Sequence, residues 1–311
     1  MMRIVFMGTP EFAVPSLRAL LDAGYDVVGA FTQPDRPAGR GHKLTACPVK
    51  QLAQARNVPV YQFEKIKRAE GVECLKSLAP DLCVTAAFGQ ILSKEILDIP
   101  KYGTINVHAS LLPEYRGSAP INWCIIHGER IAGVTTMLTD VGMDTGDMLL
   151  RRETEIGDME TAGELTQRLS EIGAQLLIDT LKGYPNGSIV PVKQDESRAS
   201  YQPMLNREMG RIDWRRRATE IACQVRGMNP WPCAYTENAD GRIKIYLARA
   251  CAAAHEAAPG TVVVSGAKEG LMIACGEGWL EIIEMQAPNA RRMGAKDYLR
   301  GKRIDVGTIY E

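Results

Sequence analysis

The sequence has few of the residues that build metal centres and disulfide frameworks. Its four histidines lie far apart along the chain, and none belongs to an H-E-x-x-H pair. The eight cysteines include no C-x-x-C pair, so the usual spacing of a structural zinc site is missing. We therefore expect no metal, and we interpret the cysteines as reduced core residues of a cytoplasmic protein.

Long hydrophobic runs and an excess of one charge are also missing. The apolar stretch that begins at Arg3 ends at Gly8, which is too short for a signal peptide or a membrane span. Basic and acidic residues both number 37, so the net charge gives no argument for a nucleic-acid or membrane partner. With 311 residues, 45% of them hydrophobic, the chain is expected to form two globular domains with separate cores.

The dinucleotide-binding fingerprint is missing as well. Gly8-Thr9-Pro10 follows the first apolar run, but no G-x-G-x-x-G is present there. Pro10 also stands where the backbone would have to approach a pyrophosphate closely. These observations argue against a redox enzyme that uses a dinucleotide, and Gly8 is interpreted as a turn from strand to helix.

Several short apolar runs do not alternate with polar residues, which predicts a parallel sheet covered on both faces. Segments with helical potential separate these runs, and this order is typical of an α/β domain. Pro15 would sit in the first turn of the first helix, where a missing N–H costs little. The predicted strands are 3–8, 26–32, 81–88, 134–139 and 148–155, and the predicted helices are 16–23, 49–56 and 161–181.

The chain changes character after the last of these helices. Residues 191–206 are polar and irregular, which predicts a linker. Beyond it, short strand-like runs are separated by glycine turns, a pattern typical of a small β-barrel. We therefore expect a first domain over 1–190 and a second over 207–311. The elements predicted in the second domain are a helix at 218–226 and strands at 243–249, 261–264, 271–275 and 279–285.

A polar face lies on what should be a buried strand, within residues 103–110. Because successive side chains of a strand point to opposite faces, Asn106 and His108 project side by side. The Leu-Leu-Pro turn that follows places them at the carboxyl end of a central strand, where open α/β sheets keep their sites. Further along, Asp144 stands between two glycines, in a loop that can reach the imidazole. An amide, an imidazole and a carboxylate indicate an acyl-transfer site.

A long loop follows the second predicted strand, from Gln33 to Leu44. It is rich in proline and glycine and carries the cations Arg36, Arg40 and Lys43. Loops of this length inside a compact domain are usually functional or disordered. Two interpretations stay open, a solvated loop and a basic finger for a phosphate-bearing ligand.

Four short motifs, taken in order, resemble the folate-dependent formyltransferases. They are Asn106-x-His108, Ser110-Leu111-Leu112-Pro113, Tyr115-Arg116-Gly117 and Met143-Asp144-Thr145-Gly146. The loop from Pro34 to Leu44, together with Asp213-Trp214 and Asn229-Pro230-Trp231-Pro232, resembles the members that act on methionyl-tRNA. The resemblance covers essentially the whole chain. It implies a Rossmann-like, mostly parallel sheet domain followed by an OB-like β-barrel domain.

The resemblance also implies an activity and the residues that carry it. The formyl group of 10-formyltetrahydrofolate would pass to the α-amino group of methionine on initiator tRNA, without a metal. The catalytic positions fall on Asn106, His108 and Asp144, and the element that engages tRNA falls on Arg36, Arg40 and Lys43. The positions implied to bind folate are Phe88, Gly89, Gln90, Ile91, Leu92, Ser110, Leu111, Leu112, Pro113, Asp140 and Gly142.

The chemistry of these residue types suits that reaction. Attack of an amine on a formyl carbon produces an oxyanion, which Asn106 and His108 would stabilise. Asp144 would fix the imidazole tautomer, favour its charged form and help to move a proton from the amine.

Two other functions stay open. The first is a folate-dependent formyltransferase that acts on a small amine, such as an amino sugar or a ribonucleotide amine, since the Asn-His-Asp set is shared. The second is a tRNA-binding protein that has kept the fold without the activity. We expect a monomer. Within the basic loop, His42 and Thr45-Ala46-Cys47 depart from the family pattern.

Overall fold

The structure, a computed structural model, describes residues 2–38, 43–238 and 241–311. Its helices are α1 (Val14–Asp22), α2 (Pro48–Ala55), α3 (Ala69–Ser77), α4 (Lys94–Leu97), α5 (Pro120–Ile126), α6 (Ala162–Gly183), α7 (Ala218–Gly227) and α8 (Ala295–Gly301). Its strands are β1 (Arg3–Gly8), β2 (Asp26–Thr32), β3 (Arg36–Ala38), β4 (Lys43–Thr45), β5 (Val60–Gln62), β6 (Leu82–Ala86), β7 (Thr104–His108), β8 (Arg116–Gly117), β9 (Ile131–Leu138), β10 (Met148–Glu155), β11 (Tyr201–Gln202), β12 (Ala234–Asn238), β13 (Gly241–Cys251), β14 (Val262–Gly266), β15 (Gly270–Ala274), β16 (Trp279–Gln286) and β17 (Met293–Gly294).

The chain forms two compact units. The first contains Met1–Gly117, Gly133–Thr154 and Thr166–Tyr201, and the second contains Ser118–Ala132, Glu155–Leu165 and Gln202–Glu311. Two segments that precede residue 190 therefore pack within the second unit. The domain bounds given above, 1–190 and 207–311, stay a prediction. Of the helices in the described part of the chain, none combines the length and the apolar character needed to cross a bilayer.

The first unit is built on a seven-stranded sheet with the order β10-β9-β7-β6-β1-β2-β5. Strands β5, β2, β1, β6 and β7 are parallel neighbours, and β9 runs antiparallel to β7. All five residues of β6 are buried, as expected of an apolar strand covered on both faces. The mostly parallel, Rossmann-like sheet predicted from the sequence is confirmed.

Helix α6 covers one face of the strand that carries the polar residues. Gly173 of α6 lies so close to β7 that a Cβ atom there would come within 2.8 Å of Val107 Cγ1. Glycine therefore lets the helix pack directly on Val107. Because side chains alternate along a strand, Asn106 and His108 project from the opposite face of β7.

Two elements of the first unit differ from their sequence predictions. The strand predicted over 81–88 ends at Ala86, because Ala87 has a φ of 46° and leaves the extended conformation. The predicted loop between Gln33 and Leu44 contains the antiparallel pair β3 and β4. Pro15 does lie in the first turn of α1, as predicted.

The second unit has an antiparallel sheet with the order β12-β13-β16-β15-β14, and β17 pairs with β16. Its core includes Trp214, whose indole N–H donates to Thr236 Oγ1 at 2.9 Å. The last residues of the chain bond to both outer strands. Glu311 exchanges backbone hydrogen bonds with Glu237 of β12, and Thr308 accepts one from Val262 of β14. The OB-like second domain predicted from the sequence is confirmed as an antiparallel β-sheet domain, and the C-terminal segment bonds to both of its outer strands without closing a barrel in the described part of the chain.

Candidate active site

His108 lies at the end of β7 with only 7% of its surface exposed. Its Nε2 atom is 3.1 Å from the backbone carbonyl oxygen of Tyr115. A carbonyl oxygen can only accept, so this hydrogen bond requires the proton on Nε2. The carbonyl of Tyr115 therefore fixes the tautomer of neutral His108, and Nδ1 is the ring nitrogen that can take up or release a proton.

Asp144 lies beside that second nitrogen. Its Oδ1 atom is 3.7 Å from His108 Nδ1, and its Oδ2 atom accepts a hydrogen bond of 2.8 Å from the backbone N–H of Gly117. The 3.7 Å separation allows an ion pair with a protonated ring but is too long for a direct hydrogen bond. The structure thus brings the loop carboxylate and the imidazole together, 36 positions apart in sequence (144 minus 108).

The loop that carries Asp144 is tightly turned. Asp140 Oδ1 accepts hydrogen bonds from the backbone N–H of Gly142 and from Thr145 Oγ1. At Gly146, a Cβ atom would stand 1.8 Å from the carbonyl oxygen of Leu138, so no larger residue fits there. Asp144 itself has a φ of 56°, in the left-handed region. Asp140 and Gly142, predicted to bind folate, are both engaged in this internal turn.

Asn106 is oriented by a neighbour on β6. Thr85, which is buried, donates from Oγ1 to Asn106 Oδ1 at 3.0 Å. The two N–H groups on Asn106 Nδ2 have no hydrogen-bond partner among the described residues. They are therefore left to donate to a bound oxygen.

The segment predicted to wall the folate pocket turns most of its side chains inward. Phe88 and Leu92 belong to the apolar core of the first unit. Gln90 is tied on both sides, because it accepts from the backbone N–H of Ile66 and donates to the carbonyl of Phe63. Only Ile91, 77% exposed, presents a large side chain outward. A ligand would meet Ile91 and the backbone here, including Gly89.

The predicted folate-binding turn at 110–113 is also held internally. Ser110 Oγ donates to the carbonyl of Glu114, and Leu112 is fully buried. Thr135 connects both ends of the turn, since its hydroxyl donates to the carbonyl of Ser110 and accepts from the backbone N–H of Leu112. Pro113 is buried and Leu111 half-buried. The turn therefore supplies a fixed surface rather than free polar groups.

The basic loop is only partly described. Arg36 is exposed and lies 3.5 Å from Glu64. Arg40 and His42 lie outside the described residues, and so does the side chain of Lys43. The base of the hairpin is better anchored: Asp35 accepts from Lys50 Nζ at 2.5 Å and from Gln62 Nε2 at 2.9 Å. These two hydrogen bonds lower the pKa of Asp35, and the one from Lys50 has the larger effect.

Sequence reasoning missed the residues that support Asp144 and His108. Arg116 is fully buried and donates from Nε and Nη2 to Gln194 Oε1. Gln194 in turn donates to the backbone carbonyls of Asp144 and Gly146. The hydrogen bonds from Arg116 to Glu196 raise the pKa of the guanidinium further above its ordinary value. Arg116 stands in a motif quoted above, but nothing local marks Gln194, which lies in the predicted linker.

This arrangement can perform acyl transfer. The Asn106 amide offers free donors to an oxygen that gains negative charge, and His108 Nδ1 can exchange a proton next to a carboxylate. Among residues 2–38, 43–238 and 241–311, no three His, Cys, Asp or Glu side chains come together as metal ligands.

Several solved structures share this fold. WlaRD, a sugar 3N-formyl transferase solved with dTDP and 5-N-formyl-THF, aligns with a TM-score of 0.67 and 21% identity, over 94% of this chain and 99% of its own. HypX from Aquifex aeolicus, solved with tetrahydrofolic acid, aligns with a TM-score of 0.63 and 18% identity, over 99% of this chain and 50% of its own. At these identities the likeness concerns the fold alone.

Sequence comparisons give the family. The formyl transferase family matches residues 2–181, and its C-terminal domain matches residues 204–303. A methionyl-tRNA formyltransferase from Citrifermentans bemidjiense is 51% identical over 308 residues, covering 99% of this chain and 96% of that protein. One from Clostridium novyi is 49% identical over 309 residues, covering 99% of both. The chain belongs to the formyl transferase family, among the methionyl-tRNA formyltransferases.

Proposed function

We propose that this protein transfers the formyl group of 10-formyltetrahydrofolate to the α-amino group of methionyl initiator tRNA, for translation initiation. The observation that carries the proposal is the buried imidazole of His108, held between the carbonyl of Tyr115 and the carboxylate of Asp144. Relatives that are about 50% identical over the full length, both methionyl-tRNA formyltransferases, support the choice of methionyl-tRNA as the substrate.

The residues present suit a folate. The Asn106 amide has unused donors for a formyl oxygen, and the exposed Ile91 offers an apolar surface for a ring. We infer that the backbone of 88–92, the turn at 110–113 and the loop that contains Asp140 and Gly142 would hold it. When bound, 10-formyltetrahydrofolate supplies the formyl group.

Asn106 acts as the oxygen-stabilising donor in this proposal. Its Oδ1 is occupied by Thr85, so the amide cannot rotate without losing that bond. Preorganised donors of this kind stabilise developing negative charge because they need no reorganisation during the reaction. Removing one such donor in other enzymes costs about 3 kcal/mol of transition-state stabilisation.

His108 and Asp144 handle the proton. With Nε2 fixed by Tyr115, Nδ1 accepts a proton from the attacking amine as the amine bonds to the formyl carbon, and the carboxylate at 3.7 Å stabilises the imidazolium that results. The imidazolium then returns this proton to the folate nitrogen as its bond to the formyl carbon breaks, so that tetrahydrofolate leaves. The tautomer role expected of Asp144 from the sequence is thus assigned to the carbonyl of Tyr115. The role left to Asp144 is electrostatic.

We further propose that Arg36, Arg40 and Lys43 contact the phosphates of tRNA, because Arg36 is exposed and the sequence places three cations within one short loop, which suits a nucleic-acid backbone. The second unit, with its OB-like sheet, is the other element that we expect to bind tRNA. The monomeric state and the cytoplasmic location stay predictions.

The test is an assay of formyl transfer from 10-formyltetrahydrofolate to charged methionyl-tRNA. The controls are uncharged tRNA, free methionine and an amino-sugar nucleotide. We expect product only with the charged tRNA. Comparable turnover with the amino-sugar nucleotide would favour the small-amine alternative, and binding of tRNA without any transfer would favour a binding protein.

A further inference from the structure

The segment predicted to be a linker, residues 191–206, contacts two parts of the candidate active site, the segment that contains Tyr115 and the loop that contains Asp144. Ser200 Oγ accepts a hydrogen bond of 2.9 Å from the backbone N–H of Tyr115. The backbone carbonyl of Ser200 accepts one of 2.8 Å from the backbone N–H of Arg116. Six positions earlier, Gln194 is buried and bonds to the loop that carries Asp144. Residues 194–200 therefore hold the segment whose carbonyl binds His108 and also the loop that faces its other nitrogen.

Arg116 determines which way the amide of Gln194 points. The guanidinium has only donors, and two of its nitrogens lie 3.0 and 2.9 Å from Gln194 Oε1. The opposite orientation would set N–H groups against N–H groups in a buried place. The amide nitrogen of Gln194 must therefore face away from Arg116, towards the Asp144 loop.

Gln194 Nε2 uses both of its N–H groups on that loop. It donates to the carbonyl of Asp144 at 2.7 Å and to the carbonyl of Gly146 at 2.8 Å. The backbone is thus held at Asp144, which is itself in the left-handed region, and at Gly146, two residues later. Such a conformation persists only where surrounding bonds determine it.

We propose that Gln194, oriented by Arg116, is a positioning residue for the formyl transfer reaction. It keeps the Asp144 carboxylate at ion-pair distance from His108 Nδ1, and it contacts neither the formyl group nor the amine. The inference rests on the proposed function, because it assigns Gln194 a part in that same reaction.

The expected effect is on turnover and not on substrate binding. A displacement of about 1 Å at a reacting group is enough to lower a rate by about a hundredfold. We expect Gln194→Met, which keeps the length of the side chain without its donors, to lower kcat about 10- to 100-fold. The KM values for both substrates should stay within about threefold of wild type.

A second variant isolates the donor. Gln194→Glu keeps oxygen atoms for Arg116 but removes the N–H groups that hold the carbonyls of Asp144 and Gly146. It should lose as much kcat as Gln194→Met even though Arg116 stays paired. The matched control is Gln175→Met, because Gln175 also accepts a hydrogen bond from an arginine, Arg152, but on an exposed helix surface. The control should keep wild-type kcat.

The decisive experiment is a double-mutant cycle with Asp144→Asn, using steady-state formylation of methionyl-tRNA by the full-length protein and melting temperatures of every variant. If Gln194 acts through Asp144, Gln194→Met should cost less than about threefold in the Asp144→Asn background. An undiminished loss there, or kcat of both Gln194 variants within twofold of wild type, overturns the proposal. Absence of formylation by the wild type would instead refute the proposed function.

Discussion

Two charged parts of the first unit differ in how they are held. The side chain of Asp144 is 18% exposed, and hydrogen bonds from the buried Gln194 fix the backbone at Asp144 and Gly146. Arg36, on the hairpin of the basic loop, is 69% exposed, and among the described residues it has one ion pair, to Glu64, which is itself 70% exposed. Both parts carry residues that the sequence marks as functional. Hydrogen bonds within the first unit hold the backbone of Asp144, whereas the side chain of Arg36 lies largely in solvent.

This difference indicates different kinds of work. An oriented, largely shielded carboxylate acts at close range, so its loss should change the rate of the chemical step. An exposed arginine in a solvent of high dielectric constant gains little from a single ion pair and is screened by salt. Its contribution is expected in the encounter with a polyanion and in the salt dependence of that encounter.

The largest effect is expected at the buried side of this comparison. His108→Ala and Asn106→Ala should each lower kcat by at least about a hundredfold, because each removes stabilisation needed chiefly in the transition state. Steady-state kinetics and thermal melts on the same preparations give the answer. Thr85→Val should weaken catalysis less, by about tenfold, since it frees the Asn106 amide to rotate without removing it. If both alanine variants keep turnover within a few-fold of wild type, the roles assigned to His108 and Asn106 are wrong.

Asp144→Asn should come next. The new amide oxygen can still accept the hydrogen bond from the backbone N–H of Gly117, so the loop should keep its shape. The neutral amide cannot stabilise an imidazolium, and we expect kcat to fall at least about tenfold with an altered pH profile. Rates measured across pH, with circular dichroism as the folding control, check this. A fully active variant with an unchanged profile would make the carboxylate structural.

The sequence predicted the strands around the site better than the contacts that hold it. The bounds of β1 and β2 agree with the predicted 3–8 and 26–32, because apolar runs covered on both faces end where Gly8 and Thr32 stand. The side-by-side projection of Asn106 and His108 follows from strand alternation alone. Arg116 and Gln194 lie 78 positions apart, and only folding reveals that a polar, irregular segment fills a buried space.

For a similar reason, the sequence did not indicate that two segments before residue 190 pack within the second unit. Helix α5 precedes the predicted boundary but packs on α7, where a Cβ at Gly227 would come within 2.5 Å of Ile126. Local patterns do not record this close approach. Deleting residues 207–311 would also strip α5 of its packing partner, so point substitutions are the cleaner test of the second unit.

The exposed side of the comparison should respond in another way. Arg36→Ala, and likewise Arg40→Ala, should raise the KM for charged tRNA and leave kcat and folate binding unchanged. Each lost phosphate contact should reduce the slope of log affinity against log salt by nearly one unit on a duplex stem. Filter binding across a salt series measures this, and Glu64→Gln is the matched control, since it removes the partner of Arg36 and not the cation. If affinity, KM and turnover are all unchanged in both arginine variants, the loop is a solvated loop that does not contact tRNA.

The smallest effect concerns the base of the hairpin. The hydrogen bonds that Asp35 accepts there, chiefly the one from Lys50, lower its pKa. A carboxyl group with a lowered pKa in the folded state stabilises the fold at pH values above its ordinary, unfolded-state pKa of about 4. This contribution is lost as the pH falls through the folded-state pKa. Asp35→Asn should therefore lower the melting temperature at pH 7 by about 2 °C. The difference from wild type should shrink below about pH 4, and a constant difference across pH would contradict this.

The most direct measurement is the single-turnover rate of formyl transfer at saturating methionyl-tRNA and 10-formyltetrahydrofolate, for Asp144→Asn and Arg36→Ala side by side. Saturation removes the contribution of binding and leaves the chemical step. Asp144→Asn should be at least about tenfold slower than wild type, and Arg36→Ala should equal it. Equal rates for all three proteins, or an equal loss in both variants, would contradict the assignment of the chemistry to the pair formed by Asp144 and His108.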